Sequence, residues 1–525
     1  MNKHAHKLAG LMLAAALGTA ALPIGAVHAA DDSRALGERD ISQAVRQLSQ
    51  LHIMQGYEDG SLAVEQPVTR AELAKLLALT FSLQGADQAQ QGFTDVNPQA
   101  WYSKYAAEAA AQGIMLANDG RFEPRGTVTK TELVQIVTKA LKRDAKSVEF
   151  WAESLDPGSG PVTRGETAYL LNMAQRAIPS DKAKITSIRS LNAITLIVTF
   201  DAPLTADNEA FTKAKEDFAF TGGLTLTNLP RLKTGSIATY IVPTSVQQPG
   251  VQYSLTYRGA NAGTFTGNAD KLNMTEARQV TNDTFELESL QANGVVDYGY
   301  VISAYSTGRG ADAFVLDENN RANGKTYQII SSGQAREVTI TPEGGQPMVA
   351  KYVPFTQSTD GRQEPKFRLP EGKTLTPGVT YTVTSDWAKI ERPSFVAQSI
   401  APLDIVGAEA VSETSITVTL SEDPGDELFS GRSVELTDAE GHKLTATYKY
   451  SSAQRGRGYL RSCTRQQTCE RHDLHRHAGG GMGRFFPDSI DSGLNLIRLL
   501  LVSAAGCPAA FYFSLTLKFN RIIVI

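Results

Sequence analysis

Two segments decide how this chain reads: Pro67-Val68-Thr69-Arg70-Ala71-Glu72-Leu73 and Thr127-Val128-Thr129-Lys130-Thr131-Glu132-Leu133. They stand 60 residues apart, and each follows an Asp-Gly turn signal, Asp59-Gly60 or Asp119-Gly120, with ten residues from aspartate to threonine. A shorter copy, Pro161-Val162-Thr163-Arg164-Gly165-Glu166, comes 34 residues after the second. Threonine at an N-cap with glutamate three positions on is a capping box, so each motif predicts a helix start. Thr69 with Glu72, Thr129 with Glu132 and Thr163 with Glu166 are the expected capping pairs. Behind the first two, Leu73, Leu76, Leu77 and Phe81 share one helix face, and so do Leu133, Ile136, Val137 and Leu141. Further helices are expected upstream, at Ile41 to Leu51 and at Trp101 to Gln112. One unit is thus a helix, a turn-rich loop and a capped helix. Units this small cannot bury an apolar face alone and are expected to pack together.

The repeat resembles the S-layer homology (SLH) module. The family pattern runs from Phe-x-Asp-Val and a Trp, through Gly-Ile and Asp-Gly-x-Phe-x-Pro, to Thr-Arg-Ala-Glu. The second copy has Phe93-Thr94-Asp95-Val96, Trp101, Gly113-Ile114, Asp119-Gly120-Arg121-Phe122-Glu123-Pro124 and Thr129-Lys130-Thr131-Glu132. The first has Gly56-Tyr57-Glu58-Asp59-Gly60 and an intact Thr69-Arg70-Ala71-Glu72 but lacks the Trp; the third is read as keeping Trp151 but has lost its Asp-Gly loop. The resemblance covers roughly residues 36 to 180. It implies a helical bundle with pseudo-threefold symmetry that binds secondary cell-wall polysaccharide of Gram-positive bacteria, often pyruvylated, in grooves between modules. It places Arg70, Lys130 and Arg164 against the ligand carboxylate, with Asp59, Gly60, Asp119, Gly120 and Trp101 beside them. An arginine fork matches a carboxylate, whereas Lys130 is a point charge. A solvated charge at a helix start is the other reading of each basic residue, although a cation there opposes the helix dipole. The glutamates read as capping groups, and both tryptophans as core residues or groove supports.

The chain opens on Lys3 and Lys7, an uncharged apolar stretch from Leu8 to Leu22, and Val27-His28-Ala29. This is the pattern of an export signal spanning 1–29, cleaved after Ala29, with no membrane span expected in the mature protein. At 525 residues, 42% apolar and 20% charged, the chain is long enough for several hydrophobic cores. Its formal charge of -4 argues against a nucleic-acid binder. The three cysteines all lie in the last 63 residues, so no disulfide framework is expected.

After the helical module, placed at 30–182, the period changes to two. Ile194, Leu196, Val198 and Phe200 alternate with Thr195, Ile197 and Thr199, predicting a half-buried strand; Ile416, Val418 and Leu420 repeat the pattern. Pro249-Gly250-Val251-Gln252-Tyr253 and Pro377-Gly378-Val379-Thr380-Tyr381 each read as a turn feeding a strand. Residues 185 to 204 also resemble the first strands of immunoglobulin-like domains of surface-layer proteins. The expected fold class is therefore multidomain, an α-helical SLH bundle followed by all-β immunoglobulin-like sandwiches. The β units are placed at 183–282 (a sandwich), 283–402 and 403–452, the last only a beginning.

No catalytic residue is expected. There is no His-Glu-x-x-His or Gly-x-Ser-x-Gly, and Gly324-Lys325-Thr326 lacks the first glycine of a phosphate loop, with Asn at 319. Asp423, Asp426 and Glu427 surround Pro424-Gly425 as a solvated turn. Residues 453–525 change texture, with seven arginines between 455 and 484 and no lysine between Lys449 and Lys518, as if from a shifted reading frame. Cys463, Cys469, His472, His475 and His477 match no standard zinc spacing, so no metal site is expected there. No cofactor is expected; calcium is not readable from the residues. The sequence reads as a secreted surface-layer structural protein that binds wall polysaccharide and self-associates into a lattice. A wall-anchored enzyme, such as a glycoside hydrolase, and an adhesin are the alternatives.

Overall fold

A computed structural model describes residues 36–84, 93–116, 118–155, 160–288, 294–299, 301, 315–334, 336–353, 365–401, 404–412, 414–421, 431–437, 441–449, 458–462 and 496–500. The export signal, the 423–427 turn and the cysteine–histidine group of the tail lie outside these residues. Of the tail, only the strands Gly458–Ser462 and Leu496–Leu500 lie within them.

Among the described residues, six helices build the first part: α1 (Glu38–Gln50), α2 (Arg70–Phe81), α3 (Ser103–Ala111), α4 (Lys130–Leu141), α5 (Ala145–Trp151) and α6 (Arg164–Arg176). The three longest motif helices begin where the capping threonines stand. Thr69, Thr129 and Thr163 each accept the amide of the glutamate three residues on, and each glutamate carboxylate accepts the threonine amide in return. Leu73, Leu76, Leu77, Leu133, Ile136 and Val137 enter one core with Leu48, Val148, Leu170 and Leu171.

The segments just before these helices join pairwise into a closed ring. Pro67 bridges Thr163, Thr69 bridges Thr127, and Thr129 bridges Pro161. The Val68 amide donates to Val162 and the Val162 amide to Val128, at 3.0 and 2.8 Å. All three valines are buried, each just ahead of its N-cap, so the ring forms an apolar centre.

Two sheets follow, sharing a core that includes Leu196, Val198, Phe200, Tyr240, Tyr253 and Phe265. One holds β1 (Ile185–Asn192), β2 (Thr195–Phe200), β4 (Arg231–Leu232) and β5 (Thr239–Pro243) in the order β1-β2-β5-β4; the other holds β3 (Phe218–Phe220), β6 (Gln252–Tyr257) and β7 (Ala260–Thr266). β2 is not half-buried as its alternation predicts. Thr195 and Ile197 are buried too, because Ile197 and Ile241 pack against Val296, Tyr298 and Ile329 of the next unit. A surface that reads as solvent-facing is an interface between units.

The second β unit is a curled eight-stranded sheet that opens with Leu272–Gln279, residues the sequence reading assigned to the unit before. The reason is pairing: residues 272–276 run parallel to 388–392 and 277–279 antiparallel to 285–287. Residues 394–396 pair in turn with 380–382, so the stretch around Pro393 draws the two ends of the sheet together. That leaves little free strand edge. Strands Ile405–Ser412 and Ser415–Leu420 begin the third unit as an antiparallel pair with register shifts placed as in β1–β2. Arg432 ties this unit to the second through two bonds to Asp283, at 2.8 and 2.7 Å. Burial pushes the Asp283 carboxyl up, but Arg432 together with the Thr281 and Thr284 hydroxyls outweighs it and brings it down to about 2.

The helical module is joined to the first β unit by the loop 233–237. The Trp151 indole donates to the Gly235 carbonyl at 2.6 Å, and the Gly235 amide donates to Ser147 Oγ at 2.9 Å. Arg143 stacks on Trp151 and donates to the Ser236 and Ile237 carbonyls. Gly235 has φ +74, and a Cβ there would stand 2.3 Å from Val315 and 3.0 Å from Phe150, so only glycine fits. Trp151→Phe keeps most of the packing but strands a buried carbonyl. A loss of about 1–3 kcal/mol is expected, seen as a lower urea midpoint for the helical module within the full chain. An unchanged midpoint would contradict the joint.

Candidate functional site

The three motif cations do not point freely into solvent. Each crosses to another repeat. Arg70 of the first motif reaches the second repeat, donating from Nε to the Phe122 carbonyl (2.8 Å) and from its Nη atoms to the Leu116 carbonyl (3.1 Å) and Glu132 (3.4 Å). Its guanidinium lies 5.2 Å from the Phe122 ring centroid. Arg164 of the third motif reaches the first repeat: Nε to Leu62 (3.1 Å), Nη2 to Gln55 (3.2 Å) and Nη1 to Glu72 (2.8 Å), above the Tyr57 ring at 4.7 Å. Lys130 of the second reaches the third, donating to the Leu155 carbonyl at 3.2 Å. These contacts run around the same ring as the backbone bridges. They also answer the dipole argument: cations are held at helix starts because carbonyls and carboxylates of the neighbouring repeat receive them.

The two arginine pairs differ in depth. Arg164 and Glu72 keep 6% and 15% of their side-chain exposure, whereas Arg70 and Glu132 keep 12% and 43%. Glu72 combines three tasks. It caps Thr69, accepts the Tyr57 hydroxyl and pairs with Arg164. Burial pushes its carboxyl up, but Tyr57, Thr69 and Arg164 together outweigh burial and hold it below the ordinary glutamate value.

The Asp-Gly residues build turns. Asp119 and Gly120 have φ of +48 and +76, and Asn118 and Arg121 exchange both backbone bonds across them, a two-residue hairpin that favours Asp-Gly. Asp59 accepts the Ser61 amide at 2.9 Å. Asp95 braces the second loop by accepting the Phe122 and Glu123 amides, both at 2.8 Å.

Trp101 stands apart from these turns and is 57% exposed. The Lys75 ammonium lies 5.9 Å from its ring centroid and donates to Gln55 Oε1 at 2.9 Å. Gln55 also supplies the carbonyl that receives Arg164. Trp101, Lys75, Gln55, Arg164, Tyr57 and Glu72 therefore form one continuous chain of contacts that touches all three repeats. Arg70, Glu132, Leu116 and Phe122 form a second cluster, and Lys130 with Leu155 a third. Lys75, Gln55 and the site role of Tyr57 were missed from sequence. Lys75 lies three residues after Glu72 on α2, a spacing that places both on one helix face.

The motif reading of Trp151 is corrected by the helix positions. Trp101 precedes its helix by two residues, whereas Trp151 ends α5, and Arg143 stands two residues before that helix. The Leu116 and Leu155 carbonyls serve Arg70 and Lys130 alike, which aligns Trp151 with Gln112 rather than Trp101. Among the described residues, no group of three or more His, Cys, Asp or Glu is placed to hold a metal ion, and no helix is long and apolar enough to cross a membrane.

Arg164→Ala leaves a partly buried Glu72 without its cation, and a loss of about 3 kcal/mol is expected; Arg70→Ala, whose carboxylate is more exposed, is expected to cost about 1 kcal/mol. Because Glu72 has a depressed value when folded, its contribution is complete above the unfolded value of about 4.3 and is lost as pH falls through the folded value. The stability gap between wild type and Arg164→Ala therefore narrows below about pH 4. Equal losses for the two variants, or a gap independent of pH, would contradict this assignment.

Comparison with known proteins gives these contacts a family setting. The model of the S-layer homology domain matches residues 41–74 and 92–134. The chain is 27% identical over 286 residues, half its length, to the middle cell wall protein of Brevibacillus brevis. It is 29% identical over 160 residues, 29% of its length, to the surface layer protein of Brevibacillus choshinensis. It spans 27% and 14% of those two relatives. A crystal structure of the N-terminal part of the bacterial S-layer protein SbsC is similar at 14% identity, over 71% of this chain and 81% of that one, with a TM-score of 0.18. The S-layer homology domain match thus falls on the first two of the capped, cyclically paired repeats, and mostly β units follow.

Proposed function

We propose that this chain is a secreted surface-layer structural protein, held noncovalently on the cell wall by its helical module. In this reading the module is a pseudo-threefold bundle, and the grooves between repeats receive an anionic secondary wall polysaccharide whose carboxylate comes from a pyruvate ketal. The β units stand outward as immunoglobulin-like sandwiches and associate laterally. The protein acts by binding and assembly, not by catalysis.

The observation that carries the reading is the closed ring. Three capped segments bridge one another in turn, and three motif cations follow the same circuit. In this reading the polymer lies where neighbouring repeats meet around that ring. The β units support their assignment through two tyrosines. Tyr253 OH accepts the Gln248 amide and Tyr381 OH the Thr376 amide, both at 2.9 Å and both five residues upstream. A tyrosine hydroxyl returning to backbone at the start of a strand is a corner typical of immunoglobulin-like sandwiches.

The test is sedimentation of the full chain with purified sacculi, before and after removal of the non-peptidoglycan polymer. Retention on untreated walls and release from stripped ones is the expected result. Equal retention on both, or none on either, would overturn the polymer as anchor.

A further inference from the structure

We infer that an excursion of the second β unit acts as a strap, binding the helical module and the first β unit to the second so that the three open as one cooperative body. The inference does not depend on what the helical module binds.

The excursion leaves the eight-stranded sheet after Leu287 and returns at Glu337. Within it, Val295–Asp297 and Gln328–Ile330 pair in parallel as a two-stranded sheet of their own. A strand pair this short is not stable alone and must be covered. Its cover is the outer face of the first β unit. Val296, Tyr298, Leu316, Tyr327 and Ile329 form one buried cluster with Ile197 of β2 and Ile241 of β5. Polar groups are paired across the same boundary. The Ile329 carbonyl accepts Asn192 Nδ2 at 3.0 Å, Ser331 Oγ donates to the Ile194 carbonyl at 3.0 Å, and buried Arg336 donates to the Thr244 carbonyl at 2.9 Å. Turning the two units against each other would expose the apolar cluster and break these bonds together. Domains move freely where their interface is small and polar; here it is a shared core. The third β unit gives the contrast, since its buried cluster of Ile416, Val418, Leu420, Ala446 and Tyr448 draws on that unit alone.

The same excursion grips the joint of the helical module. The buried Tyr298 hydroxyl takes the Thr234 amide at 2.7 Å and donates to the Leu232 carbonyl at 3.2 Å. The Leu316 amide donates to Thr234 Oγ1 at 3.3 Å, and the Lys233 ammonium donates to the Asp317 carbonyl. Trp151, Ser147 and Arg143 hold the 233–237 loop from the helical side. Gly235 is where the two sides come closest: a Cβ there would meet Val315 of the excursion and Phe150 of α5 at once. The helical module cannot leave the loop without stranding buried donors and acceptors.

The experiment is hydrogen exchange of the full chain, read by mass spectrometry across a urea series, following peptides from α4 and α6, from β2 and from Thr380–Thr384 of the second unit. One shared midpoint is expected in the wild type. Gly235→Ala is expected to split it, with the α4 and α6 midpoint falling below that of 380–384. Gly324→Ala is the control. Its φ is +74, as at Gly235, but a Cβ there meets nothing within 4 Å, so the midpoints are expected to stay together. Tyr298→Phe keeps the ring and removes the hydroxyl. Exchange in α4 and α6 is expected to rise about five- to thirtyfold relative to 380–384, and this variant carries the test if Gly235→Ala does not fold. Helical peptides that open at lower urea than 380–384 in the wild type would overturn the strap. So would midpoints that stay together in both Gly235→Ala and Tyr298→Phe, or a split of equal size in Gly324→Ala.

Discussion

The ring of backbone bonds through Val68, Val128 and Val162 is the constraint on which the helical module depends. Each valine sits immediately before an N-cap threonine, and each is buried at the centre where the three segments meet. A segment that enters this ring has its helix direction set by the cap that follows. The first cap accepts and returns hydrogen bonds between Thr69 and Glu72, so the same glutamate that starts α2 is presented to Arg164 of another repeat. Local capping and long-range pairing thus share atoms. Loss of one partner disturbs both, and the three repeats stabilise one another as a closed set.

The asymmetry within that set follows from what the third repeat has to do. Its lead helix α5 is short, and its surroundings are given over to the 233–237 loop. The loop is a meeting point: Thr234 and Leu316 bind one another, and the Tyr298 hydroxyl receives the Thr234 amide and donates to Leu232. The helical module, the first β unit, Tyr298 and Leu316 are therefore tied through a few residues around Gly235. Buried Arg143 and Arg231 lie in the same region; burial lowers both, with Asp144 and Asp297 the largest opposing influences respectively. The same loop covers the third repeat's lead helix.

Alternation of apolar and polar residues was a sound guide to strands and a poor guide to their surroundings. In β2, Leu196, Val198 and Phe200 fill their own sandwich as the pattern requires, whereas Ile194 just before it packs into the core of the next unit. Thr195 and Ile197 on the other face are covered as well, because Val296, Tyr298 and Ile329 lie across them. Threonine is compatible with either setting: Thr195 donates from its hydroxyl to the Ile329 carbonyl at 3.5 Å, so a residue that reads as solvent-facing is satisfied inside. The strand at 272–279 was assigned to the wrong side of a boundary for a related reason. Its pairing partners, 388–392 and 285–287, include one more than a hundred residues away in sequence.

The local architecture of the helical module is written in short-range patterns of residues. Thr-x-x-Glu dictates where α2, α4 and α6 start, and Asp-Gly dictates a hairpin at 119–120, because capping and left-handed turns depend on residues within a few positions of one another. The repeat also marks Arg70, Lys130 and Arg164 as a set. Tertiary structure decided what that set does. A guanidinium at a helix start reads the same whether it faces a ligand or a neighbouring repeat, and only the closing of the ring brings Glu72 to Arg164 and Glu132 to Arg70. The same holds for the tryptophans. Trp101 and Trp151 look alike in a repeat alignment, but one stands in water beside Lys75 and the other lies beneath a β loop. That difference is set by contacts spanning 84 residues between Trp151 and Gly235, which no local pattern records.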